Sequence, residues 1–157
     1  MMSTQSSYAG KPLIYSCSGA SSAAQLSNHL AVRMDRQAKA EMSCVVGLGG
    51  DVRPLVRTAR SGRPIVMIDG CPLKCDLHTL ARHGLRPDLH WELSRLGVPK
   101  EYHTDFRPED AARLLPELAE QIAALTEKTR PAVTPSGTPN ITDQFSAAEA
   151  RPCGAFG

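Results

Sequence analysis

Cys17, Cys44, Cys71 and Cys75 are the side chains whose type and placement point to chemistry in this chain. A thiolate is both a strong nucleophile and a soft metal ligand, so clustered thiols suit either metal capture or sulfur chemistry. Cys71 and Cys75 stand four apart, and on a helix such residues share a face about 6 Å from each other. Pro72 fits the first helical position, which makes Cys71 the expected N-cap of that helix, where free backbone N–H groups favour a thiolate. Cys17, within Ser16-Cys17-Ser18-Gly19-Ala20-Ser21-Ser22, also precedes an expected helix and is read the same way. The fifth thiol, Cys153, is incidental unless it reaches back to resolve or ligate.

The redox setting follows from what the chain lacks. Its first twelve residues, MMSTQSSYAGKP, hold no apolar core of a signal peptide, and no later run approaches the ~20 apolar residues that span a bilayer. The expected location is therefore cytoplasmic, where cysteines serve metals or thiol chemistry more often than a disulfide framework. A net charge of +2 over 157 residues demands neither nucleic acid nor a membrane surface as partner.

Elements that position the thiols are legible as apolar runs. Leu13 to Ser16, Glu41 to Val46 and Pro64 to Asp69 read as buried strands, and Leu89 to Ser94 alternates as an edge strand would. Between them lie helical patterns. Ser21 or Ser22 caps a helix carrying Ala23, Leu26, Leu30 and Met34 to about Gln37. Asp51 caps one running to about Arg60, and Leu73, Leu77, Leu80 and Ala81 form a stripe that ends at Gly84. A last helix starts near Pro108 and turns Leu114, Leu115, Leu118, Ile122 and Leu125 inward, with Pro116 as a kink or fresh start. The expected fold is a single α/β domain, Rossmann-like or flavodoxin-like, with about four mainly parallel strands and helices on both faces. Residues 1–12 read as a flexible lead, 13–127 as the domain, and 128–157 as a Pro/Gly/Ser/Thr-rich tail.

This topology explains why scattered thiols should meet. Strands joined by right-handed crossovers all end on one edge of the sheet, where open α/β folds place their ligands. Cys17 follows the first strand, Cys44 lies near the end of the second, and Cys71 follows the third. Other features are weaker. His78 reads as a partly buried neighbour of the site, and His29, His83, His90 and His103 show no ligand spacing. Gly47-Leu48-Gly49-Gly50 lacks a phosphate-binding signature and reads as a tight turn. Arg53, Arg57, Arg60 and Arg63 form a basic patch suited to an anionic partner. Asp69 is placed to hydrogen-bond the loop that carries Cys71.

Together, Asp69-Gly70-Cys71-Pro72-Leu73-Lys74-Cys75, Tyr15-Ser16-Cys17-Ser18-Gly19 and Ser43-Cys44-Val45-Val46-Gly47-Leu48-Gly49 resemble the DGC-domain family over about Leu13 to Leu125. The resemblance implies zinc binding through Cys17, Cys44, Cys71 and Cys75. Members commonly carry Cys-Ser-Gly-Cys where this chain has Cys17-Ser18-Gly19-Ala20, so one thiol of the pattern is missing.

Two functions are compatible with these residues. In the first, the four thiolates bind a metal ion tetrahedrally; zinc is favoured by the resemblance, while an iron–sulfur cluster or Cu(I) also suits the ligands. In the second, Cys17 or Cys71 is the nucleophile of a redox or sulfur-transfer enzyme and Cys75 is the resolving thiol, acting on a small anionic or sulfur-containing substrate.

Overall fold

The computed structural model of the chain describes residues 8–129. Its centre is a four-stranded, all-parallel sheet in the order β2-β1-β3-β4: β1 Leu13–Ser16, β2 Glu41–Met42, β3 Ile65–Asp69 and β4 Leu89–Glu92. β1 pairs with β3 over four residues, from Leu13 opposite Ile65 to Ser16 opposite Ile68. Alternation along these central strands feeds two cores. Ile14, Val66 and Ile68 face α1 (Ser22–Arg36) and α5 (Pro108–Thr129), whereas Leu13, Tyr15, Ile65 and Met67 face α2 (Val45–Gly49), α3 (Arg53–Ala59) and α4 (Cys75–Arg82). Both faces are thus covered, and this is why β1 and β3 are apolar at successive positions. The expected single α/β domain is what the chain forms.

Local chemistry accounts for the element ends. Ser21 caps α1 by accepting from the Ala24 N–H at 3.3 Å. The 22-residue α5 passes through Pro116 without a break. Pro116 and Ala112 both lie on the exposed side, so water can satisfy the Ala112 carbonyl that proline leaves without a partner.

Four expected boundaries are corrected. The second strand ends at Met42 instead of Val46, because Cys44 turns the chain into α2. β4 stops at Glu92, and Leu93–Leu96 forms a 3-10 turn. α3 is capped at Val52, with Asp51 in the left-handed region at φ 56°. α4 begins at Cys75 and not at Pro72, since Lys74 occupies the left-handed region at φ 49° and breaks the helical path before it.

Among the described residues, no helix is long and apolar enough to cross a membrane. Tyr8 closes the N-terminal side by donating its hydroxyl to the Asp35 carbonyl at 2.8 Å. Cys153 and nearly all of the expected tail lie outside the described residues.

Candidate thiol site

The β1 and β3 ends stand side by side, and their loops form one wall of a cavity of about 580 Å³. Cys17, Cys71 and Cys75 all line it. Cys44 does not: it lines a separate cavity with Glu41, Ser43 and Arg63, on the outer side of β2. Early termination of β2 makes Cys44 the N-cap of α2, where its Sγ accepts from the Gly47 N–H at 3.4 Å. Among the described residues, no three His, Cys, Asp or Glu side chains are grouped so that they could hold a metal ion. Cys44 thus lines a different cavity from the other three thiols of the expected ligand set.

Cys17 is half-buried beside β3. Its N–H donates to the Ile68 carbonyl at 3.2 Å, and its Sγ accepts from the Gly70 N–H at 3.1 Å. Burial pushes its thiol up to about 11, with hydrogen bonds from Ser27 and Gly70 opposing the shift and Asp76 and Asp69 adding to it. This corrects the expectation of a readily ionised thiol: desolvation outweighs the local donors.

Gly70 is required by packing. A Cβ there would lie 2.8 Å from the Ala23 carbonyl carbon and oxygen and the Ala24 nitrogen, so only glycine lets the end of β3 press against the first turn of α1. The next residues, Cys71 to Lys74, make a turn in which the Lys74 N–H donates to the Cys71 carbonyl at 3.1 Å. Cys71 consequently sits half-buried on a loop, and Cys75, exposed, opens α4; the expected sharing of one helix face by the pair does not occur.

Buried Asp69 holds the start of α4. Its Oδ1 accepts from the Asp76 N–H at 3.0 Å, while its Oδ2 accepts from the Leu77 N–H at 3.4 Å and contacts His90 Nε2 at 2.9 Å. These bonds tie α4's unpaired first N–H groups to the end of β3, so Asp69 binds the helix start and not the Cys71 loop that the sequence suggested. Lys74 adds a second tether through Glu92, Nζ to Oε2 at 3.2 Å.

Two residues of the site were not picked out from the sequence. Asp76 is 3% exposed, lines the cavity, and has no partner on its Oδ2. Burial, followed by repulsion from Asp69, pushes its carboxyl up to about 8, so it is protonated at neutral pH. Lys100 comes from the loop after the 3-10 turn and lines the same cavity as Cys71, with its ammonium 5.5 Å from the centre of the Tyr102 ring. Its pKa is raised, first by Tyr102, with desolvation opposing the rise and Cys71 adding to it less strongly. Ser22 fixes that loop: its N–H donates to the Glu101 carbonyl at 2.9 Å and its Oγ accepts from the Glu101 N–H at 3.1 Å. Nothing in the local spacing around Lys100 marks it. The only available signal was a lone cation in a Pro-flanked loop of unknown position.

The secondary features divide: Gly47 lies inside α2 against Leu55, whereas Gly49 and Gly50 line the thiol cavity, and Arg63 pairs with Glu41 at 2.6 Å. His78 is exposed, His83 contacts the Leu48 carbonyl at 2.8 Å, and His29 lies against Phe106.

Comparison with known proteins agrees with the motif pattern. The DGC domain matches residues 13–118. The anaerobic and virulence modulator AnvM of Pseudomonas aeruginosa is 57% identical over 107 residues, covering 68% of this chain and 82% of that protein. No solved structure matches. On the family match and this identity, the chain belongs to the DGC-domain family.

Proposed function

We propose that this protein is a cytoplasmic thiol-redox module whose nucleophile is Cys71 and whose resolving thiol is Cys75. The observation that carries the proposal is the seat of Cys71: half-buried, in a cavity whose lining also includes Cys75 and the Lys100 ammonium. A cation next to a thiolate stabilises it, and a partly exposed, electropositive setting is the environment of reactive cysteines. Cys17 is the weaker candidate because its thiol stays protonated at neutral pH.

In the proposed reaction the Cys71 thiolate attacks one sulfur of a substrate disulfide, forming a mixed disulfide and expelling the other half as a thiolate. Cys75, after losing its proton to solvent, attacks the Cys71 sulfur. That step forms the Cys71–Cys75 disulfide and releases the remaining half as a second thiolate; the two electrons gained by the substrate come from the two cysteines. Lys74, between these residues, is tethered to Glu92 at 3.2 Å, and that is the contact that would yield if the turn adjusts in the second step. A modulatory role is consistent with the name of the Pseudomonas aeruginosa relative, since a reversible disulfide can report redox state.

Anaerobically purified, reduced protein treated with bis(2-hydroxyethyl) disulfide tests the proposal. Cys71→Ser should abolish disulfide formation and Cys75→Ser should trap a mixed disulfide on Cys71, both read by intact-protein mass spectrometry. Stoichiometric zinc in the purified protein that is lost in Cys71→Ser, with no disulfide formed in the wild type, would overturn it in favour of metal binding.

A further inference from the structure

The thiol cavity has a second property beyond its sulfurs. Three of the chain's exposed large apolar side chains, Val46 (77% exposed), Leu73 (64%) and Tyr102 (59%), lie around this one opening, each from a different element or loop. Gly19 and Ala20 add only small side chains to its lining. Lys100 is the one ammonium or guanidinium group among the described residues that line this cavity. Apolar groups gathered at the mouth of a concave site, with few polar groups inside, describe a small-ligand pocket, and its volume falls in the usual range of about 300–1,000 Å³.

We infer that the site selects the disulfide of a small, predominantly apolar thiol carrying at most one negative charge, and discriminates against multiply charged disulfides such as glutathione disulfide. The inference rests on Cys71 being the exchanging thiol. An apolar substituent is drawn out of water by Val46, Leu73 and Tyr102, whereas each additional charge must be desolvated with only Lys100 to compensate. The chemical step is unchanged: one S–S bond of the ligand breaks as a Cys71–ligand S–S bond forms, and the departing thiolate carries the electron pair. A cysteine of a partner protein would need an extended contact surface, but the three apolar groups line a cavity of small-ligand size.

Second-order rate constants for mixed-disulfide formation on Cys71, in the Cys75→Ser background, test this with dipropyl, bis(2-hydroxyethyl) and glutathione disulfides. Each rate is divided by that of N-acetylcysteine with the same disulfide, removing intrinsic reactivity. The expected ratio of dipropyl to glutathione disulfide is at least about tenfold. It should fall below about threefold in Leu73→Ser/Tyr102→Ser and in Val46→Ser, and persist in Val52→Ser, which is exposed but outside the cavity. Reaction at Cys71 with no preference, or with preference for glutathione disulfide, overturns the selectivity while leaving the thiol chemistry standing. Failure of Cys71 to react with all three overturns both.

Discussion

Cys17, Cys71 and Cys75 share a cavity yet differ in what surrounds each sulfur, and that difference ranks them. Cys17 is pushed up to about 11 by burial, so at pH 8 it should be alkylated by iodoacetamide much more slowly than an unperturbed thiol, about a hundredfold if ionisation alone decides. Peptide mapping after timed labelling checks this; Cys17 reacting as fast as Cys75 would contradict it. The thiols themselves could be found in the sequence because cysteine is rare and its chemistry is specific. Lys100 and Asp76 could not, because a lysine in a loop and an acid in a first helical turn are ordinary until tertiary packing brings one to a sulfur and strips water from the other.

At the scale of elements, the end of β3 does the positioning. Asp69 binds the start of α4 and Gly70 admits the first turn of α1, so the loop carrying Cys71 is held from two sides. Gly70→Ala forces its Cβ into backbone at 2.8 Å and should cost about 1–3 kcal/mol, read by urea unfolding. Asp69→Ala removes the acceptor of the Asp76 and Leu77 N–H groups; its expected result is faster amide exchange confined to the start of α4, and unchanged exchange there would contradict the tethering role. β1 and β3 were readable as short continuous apolar runs, and α1 by the helical spacing of its buried residues. The β2–α2 junction was not: Val45 and Val46 are β-branched and read as strand, yet they form the first turn of a five-residue helix after Cys44. The start of α4 was misread for a related reason. Pro72 suits a first helical turn, and nothing local announces a left-handed Lys74.

For the whole molecule, Asp76 links the site to stability. Its carboxyl goes from an ordinary value of 3.8 to about 8 on folding, so between these values the folded state retains a proton that the unfolded state has lost. Stability from this group is therefore complete below about pH 4 and declines as pH rises to about 8, by an amount on the order of 1.4 kcal/mol per pKa unit before relaxation reduces it. Asp76→Asn, of nearly the same shape and uncharged, should raise the melting temperature more at pH 8.5 than at pH 5. Equal changes at both values would show that the carboxyl is not desolvated in this way. The parallel sheet, its covered faces and the meeting of three thiols at one edge were legible from the order of elements, since crossover handedness fixes where strands end. The exclusion of Cys44 from that meeting was not, because it depends on β2 stopping two residues before the thiol.

The central claim, that Cys71 is the reactive thiol because Lys100 attends it, is tested most directly by substoichiometric alkylation of the reduced protein at pH 7, followed by mapping of Cys17, Cys44, Cys71 and Cys75 in wild type and Lys100→Met. The account predicts that Cys71 is labelled first in the wild type and slows several-fold in Lys100→Met, while Cys44, in its separate cavity, keeps its rate. Labelling that begins at Cys44 or Cys75, or a Cys71 rate indifferent to Lys100, would contradict it.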